Sequence, residues 1–400
     1  MKRVVSLLVI LSMLIPVAAC RRVQEKPNNV GNNVTITPTA TPTIIPTATP
    51  EADPAKLEDT SKRVSVNIVQ NKDGVCNKAG REVVSITYDT ATLLTDGEAA
   101  GFLGDSLKSQ ADEFLKEFYN ADAEEITKEN PEGKYEADFN ILPKRIEEGL
   151  ASFVVVEYSY LMGVHPNTFK LASNYDLENQ RQLKLEDLTE DYAALDKFLQ
   201  EYVLKLMSEY KDADGFFNDY KNSVSSIVTD GAWYFSEDGI TFICNAYTIG
   251  PYALGIMEFT VPYEELSSYI NEKWLPKEHL GGAEDTASVS IASEYDTLGY
   301  EVYKLNLNSQ GRTFAITTDK TIYDVTISSV TYDSSNEEFL INRVMYKCSR
   351  LSSKELLEIT AVIPELIPDL QLTYKLMDGS TITNYITESG KDGSLLLVEK

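Results

Sequence analysis

Histidine is nearly missing from this chain: there are two in 400 residues, His165 and His279. A zinc centre would have to lean on carboxylates, and neither H-x-x-H nor H-E-x-x-H occurs. The nucleophile pattern G-x-S-x-G is missing as well, and Ser389-Gly390-Lys391 lacks the spacing of a serine–lysine pair. No glycine-rich loop stands between a strand and a helix to cradle phosphate. Asp212-Ala213-Asp214-Gly215 imitates a calcium loop, but its glycine comes too early and the closing glutamate is absent. Only four cysteines occur, Cys20, Cys76, Cys244 and Cys348, too few and too scattered for a disulfide framework. A single bridge among the last three stays open, although Cys244 in Thr241-Phe242-Ile243-Cys244 reads as a small buried hydrophobe. Cations are scarce: 36 Lys and Arg face 62 Asp and Glu, a net charge of -26. Nucleic acid is excluded as a partner, because its phosphates need a basic surface. No enzyme activity, cofactor or metal is expected from these residues.

Long apolar runs are also absent after the first twenty residues, MKRVVSLLVILSMLIPVAAC. That opening segment has a basic head at Lys2 and Arg3, an apolar stretch, and small residues before Cys20. It resembles a bacterial lipoprotein signal. The resemblance implies that Cys20 becomes the first mature residue and carries lipid, placing the protein on the extracytoplasmic face of the cell membrane. Loss of Lys2 and Arg3 takes the mature charge to -28. Residues 21–60 form a Thr/Pro-rich tether, with proline at 38, 42, 46, 50 and 54. Each proline fixes φ and lacks a donor, so an extended stalk of roughly 100 Å is expected.

Folded sequence begins near Val64. Asp73-Gly74 and Lys78-Ala79-Gly80 read as turns between short strands. A helix is predicted over 98–119, where Leu103, Leu107, Ala111, Phe114, Leu115 and Phe118 share one face. A second is predicted over 192–210, from the stripe Leu195, Phe198, Leu199, Tyr202, Val203, Leu206 and Met207. Phe153 to Tyr160 is β-prone. Trp233-Tyr234-Phe235, Asp238-Gly239 and Ile240 to Cys244 spell a hairpin. The expected class is α+β, with helices packed on an antiparallel sheet over 61–280. Beyond Gly281-Gly282-Ala283 helical periodicity nearly stops, and about seven short strands argue for a small β-sandwich over 284–400. Pro364 and Pro368 belong in a loop or at an edge. The acidic runs at 122–125 and 187–191 suit helix starts.

Three runs in order carry a further likeness. They are Tyr160-Leu161-Met162-Gly163-Val164-His165-Pro166-Asn167-Thr168, then Tyr175-Asp176-Leu177 with 183–188, then Tyr247-Thr248-Ile249-Gly250-Pro251-Tyr252-Ala253-Leu254-Gly255 with 256–266. Together they resemble the extracytoplasmic C-terminal domain of the lysozyme-sensing anti-sigma factors, a domain of largely unknown function that also accompanies peptidoglycan deacetylases. The resemblance covers about 64–270, as a companion module over 61–150 and a main module over 151–275. Met162 and Val164 stand where the family's wording has glycine and alanine. What the likeness implies is a receptor for a protein or cell-wall ligand, with a cationic, lysozyme-like muramidase as first candidate. Gly163, His165, Pro166 and Asn167 are the candidate ligand-binding residues. Trp233, Tyr247, Tyr252 and Tyr263 would supply rigid amphipathic groups to such an interface. The alternative is a cell-wall hydrolase, or an accessory to one, that uses acidic side chains. The run Ile363 to Pro368 and the ending 389–395 resemble a small β module appended to other bacterial surface lipoproteins.

Overall fold

The hairpin that opens the fold is longer than its turn residues suggest. A computed structural model describes residues 61–96, 98–276, 286–364 and 367–399. The signal segment, Cys20, the tether, His279 and the glycine pair at 281–282 lie outside the described residues. Strand β1 (Val64–Cys76) runs through Asp73-Gly74 without turning and pairs along its length with β2 (Glu82–Thr95). A side chain at Gly74 would meet Val84 O at 2.8 Å, so this glycine serves close strand pairing instead of a turn. The reversal comes at 77–80, where Gly80 takes φ +80.

Glu98–Ala99 folds back on the end of β2 as β3, which delays the first helix to α1 (Gly101–Tyr119). The helix buries Leu103, Leu107, Ala111, Leu115 and Phe118, the face its spacing foretold. A short α2 (Ala123–Glu129) follows, capped by the Asp122 carboxylate, which accepts from the amides of Glu124 and Glu125. This helical crossover returns the chain to the starting end, so β4 (Tyr135–Glu147) lies parallel to β2. The expected antiparallel sheet is corrected here, for a crossover of this kind makes parallel neighbours. Strands β5 (Leu150–Tyr160), β6 (Asn167–Asp176) and the short β7 (Arg181–Gln182) then continue antiparallel. Leu103, Leu107 and Ala111 of α1 share one core with Val64, Val66, Phe139, Phe153 and Tyr175.

A separate three-stranded sheet follows α3 (Tyr192–Ser208) and α4 (Val224–Ile227). It consists of β8 (Trp233–Phe235), β9 (Gly239–Cys244) and β10 (Met257–Pro262), with α5 (Tyr263–Leu266) closing it. One face places Trp233, Phe235 and Phe242 in a core with Leu195, Leu199, Val203 and Met207 of α3. Full burial of each such aliphatic side chain is worth about 1.5–3 kcal/mol. The opposite face sets Tyr234 and Ile243 against Val154 of β5 and Ala172 of β6.

The remaining chain is all β. Strands β11 (Val289–Ala292), β12 (Glu301–Asn306), β13 (Arg312–Thr318), β14 (Ile322–Asp333), β15 (Glu338–Leu351), β16 (Glu355–Ala361), β17 (Leu370–Lys375), β18 (Thr381–Glu388) and β19 (Leu395–Glu399) complete it. Four of them make a sheet in the order β11-β13-β16-β12, where β12 and β16 are parallel. Phe314, Ile316, Leu357 and Ile359 of that sheet meet Val325, Ile327, Leu370 and Leu372 in one core. The facing strands belong to the same 12-stranded sheet as β1–β6, because β1 also pairs with β15 through Ser65↔Cys348, Val66↔Lys347 and Asn67↔Tyr346. The two regions separated in the sequence by 281–283 therefore share one sheet. Arg63, 2% exposed, fastens the junction. Its Nε donates to Arg350 O at 3.3 Å, an Nη donates to the Tyr346 hydroxyl, and its guanidinium lies 3.6 Å from the Tyr303 ring centroid. Pro364 and Pro368 sit outside strands. Among the described residues no helix is long and apolar enough to cross a membrane.

Candidate binding surface

Two turns far apart in sequence meet beside the edge of β6. Residues 161–166 join β5 to β6, and 245–256 join β9 to β10. Asn245 fastens the second to the first strand beyond its turn. Its Oδ1 accepts from Lys170 N at 2.8 Å and its Nδ2 donates to Lys170 O at 2.9 Å, so one amide side chain completes both halves of a strand pair.

His165 is the hub. The Pro166 carbonyl can only accept, so His165 Nδ1 donates to it at 2.8 Å. That leaves Nε2 to accept from the Tyr247 hydroxyl at 3.2 Å. Tyr252 stacks on the imidazole with centroids 3.9 Å apart and planes 18° apart, while its hydroxyl donates to Pro166 O at 3.1 Å. Both ring nitrogens are thus engaged in holding the turns together. Tyr247 sits at φ +69 and stays 56% exposed, and Val164 at the tip of the first turn is fully exposed.

Met162 holds the left-handed conformation at φ +58, which costs a non-glycine residue about 1–2 kcal/mol. The Met162 side chain offsets the strain by packing with the core of Val83, Ile86 and Phe118. Its sulfur lies 1.9 Å from where a Cβ on Gly133 would be, so it fills the notch that Gly133 leaves open.

A third segment, 211–220, backs the second turn. Phe217 N donates to Ile249 O at 2.8 Å, and Gly215 lies against Leu254. Phe217 is exposed, as are Asp212, Asp214 and Asp219, so acidic and aromatic groups share this side. Beneath the turns, Lys170 Nζ pairs with Glu258 at 2.8 Å, and the Tyr234 hydroxyl donates to the other Glu258 oxygen at 3.1 Å. Burial pushes the Glu258 carboxyl up, but Lys170 and Tyr234 outweigh it and hold it below the ordinary range.

The candidate residues His165 and Pro166 are therefore joined to Tyr247 and Tyr252, while Asn167 starts β6 and Gly163 lies open beside Val164. Trp233 and Tyr263 are not at this surface. Trp233 is buried in the α3 core, and the Tyr263 hydroxyl accepts from Arg145 at 3.1 Å in the interior. Asn245, Phe217 and the Met162–Gly133 contact carried no sequence signal, since each depends on a partner that spacing does not reveal. The acidic runs serve as caps: Asp122 caps α2, and Asp191 accepts from Ala194 N at the start of α3. Cys76, Cys244 and Cys348 are free thiols, and the Cys244 thiol is pushed up to about 12 by burial. Among the described residues no group of His, Cys, Asp or Glu gathers as a metal site.

Residues 186–264 match the model of DUF3298, a protein family of unknown function. That span takes in α3, the three-stranded sheet and the second turn. A crystal structure of a DUF3298 family member from Bacteroides fragilis is similar at 21% identity and a TM-score of 0.37, over 52% of this chain and 94% of that one. A DUF3298 family protein from Pseudomonas aeruginosa PAO1 is similar at 17% identity and a TM-score of 0.35, over 53% and 96%. No curated protein matches the chain.

Proposed function

We propose that this protein is a non-enzymatic, lipid-anchored receptor on the extracytoplasmic face of the membrane. Its ligand seats on the surface built by 161–166, 211–220 and 245–255, and the first candidate is a cationic, lysozyme-like muramidase. The observation that carries the reading is the contact of His165 with Tyr247 and Tyr252. It joins two of the three runs that carry the likeness to the lysozyme-sensing anti-sigma factors. The DUF3298 span covers the second of these runs and does not itself name a ligand. Exposed Val164 and Tyr247 supply apolar contact, and Asp212, Asp214 and Asp219 suit a cationic partner.

The test is binding of the full chain, in detergent, to lysozyme and to cytochrome c as a basic control. Lysozyme association is expected to slow as the Debye length shrinks below ~10 Å, while a specific component persists. Replacing His165, Pro166 and Asn167 by alanine is expected to weaken that component by roughly thirtyfold with an unchanged circular dichroism spectrum. Equal binding of both basic proteins, lost together in moderate salt, would sink the receptor reading.

A further inference from the structure

The candidate surface is held from behind. Met162 keeps the 161–166 turn in a left-handed conformation that its own backbone disfavours, and nothing in the turn's sequence compensates. The restraint comes from across the fold, where the Met162 sulfur fills the space over Gly133, between α2 and β4. A Cβ on Gly133 would lie 1.9 Å from that sulfur and 2.6 Å from Asn130 Cγ. Gly133 itself is fixed, since its amide donates to Asn130 O at 3.2 Å and its carbonyl accepts from Arg81 at 2.9 Å. With its backbone held, Gly133 can admit a larger residue only if the Met162 and Asn130 side chains move.

We propose that Met162 is a positioning residue for the binding surface, and that the Gly133 notch is a remote control point for the turn that carries His165, Pro166 and Asn167. The notch belongs to the companion module, so this contact couples 61–150 to a surface built by 151–275. A change at Gly133 touches no ligand, yet it evicts the Met162 side chain. The turn then loses its left-handed anchor, and the His165 stack on Tyr252 goes with it. The proposal rests on the binding reading for its consequence but not for its geometry.

The test is a double-mutant cycle on the full chain, read by amide hydrogen exchange and by affinity for hen lysozyme. Gly133→Ala and Met162→Ala are each expected to speed exchange at the paired amides of Asn167 and Lys170, just beyond the turn, by about tenfold and to weaken lysozyme binding. Adding Gly133→Ala to Met162→Ala is expected to change exchange there no further, because the evicted side chain is already gone. The Asn130 side chain that the new Cβ also displaces belongs to the α2–β4 connection. Met162→Leu, which refills the notch, should behave like the wild type, and far-ultraviolet circular dichroism, which weights all the strands, reports that every variant is folded. Unchanged exchange in Gly133→Ala would overturn the proposal. So would effects of the two substitutions that simply add. If lysozyme does not bind the wild type, the receptor reading fails while the exchange cycle still decides the role of Met162.

Discussion

Arg63→Met tests whether the clasp at β1 holds the two halves of the large sheet together. Methionine keeps much of the stem's volume and removes the guanidinium. Arg350 O then keeps the Cys348 thiol as donor and the Tyr346 hydroxyl keeps Ser65, so each lost charge-assisted bond costs about 1.5–3 kcal/mol. Loss of the charge 3.6 Å from the Tyr303 ring costs about 2 kcal/mol more, because the contact is desolvated. Relief from burying a charge offsets part of this, which leaves a net loss of about 3 kcal/mol. The assay is urea unfolding followed by tryptophan fluorescence and by far-ultraviolet circular dichroism. Trp233 and Trp274 both lie in the α3 core and report that part alone, whereas dichroism weights all the strands. In the wild type the two transitions should coincide; in the variant they should separate and the midpoint should fall. A loss below about 1 kcal/mol, or transitions that stay together, would refute the idea that the clasp carries the junction.

Asp187 gives a pH signature. The hydrogen bond from Arg181 is the main cause that holds its carboxyl below the ordinary range, with Lys184 N adding a second bond at 2.8 Å. A depressed carboxyl stabilises the fold above its unfolded pKa and loses that contribution as pH falls through the folded one. Asp187→Asn should therefore cost about 1 kcal/mol at neutral pH by denaturant midpoint, and the gap should close below pH 3.8. Gly239→Ala would place a Cβ 2.0 Å from Val261 O, which is backbone and cannot yield, so β9 and β10 should part at a cost of roughly 3–4 kcal/mol in thermal unfolding. Cys20→Ala should block lipid attachment and leave uncleaved precursor or protein shed into the medium, read by fractionation and intact mass.

Periodicity alone marked out α1, α3, the β8–β9 hairpin and most C-terminal strands, because each element declares its buried face by local spacing. Leu103, Leu107, Ala111 and Phe118 needed no partner to be recognised as one stripe. Strand β18 carries no such signal, for its run TITNYITE alternates weakly and buries only its middle. Asp73-Gly74 reads as a turn in sequence yet lies within β1, since a glycine in a tight strand pair and a glycine in a turn look alike until the neighbour is known. The parallel β2–β4 pair, the β1–β15 junction and the Arg63 clasp were settled only by tertiary structure. Ser65 and Cys348 lie at nearly opposite ends of the folded sequence, and pairing over that distance leaves no local pattern.

The candidate surface divides the same way. His165-Pro166-Asn167 and Tyr247 to Tyr252 could be named from the sequence because each run is contiguous. That they touch, that Asn245 ties one turn to the strand beside the other, and that Gly133 seats Met162 follow from how β6, β9 and the α2–β4 connection stack. Composition and local spacing are properties of the chain taken a few residues at a time. A stack of rings 87 residues apart, His165 on Tyr252, depends on where the cores place the strands beneath them.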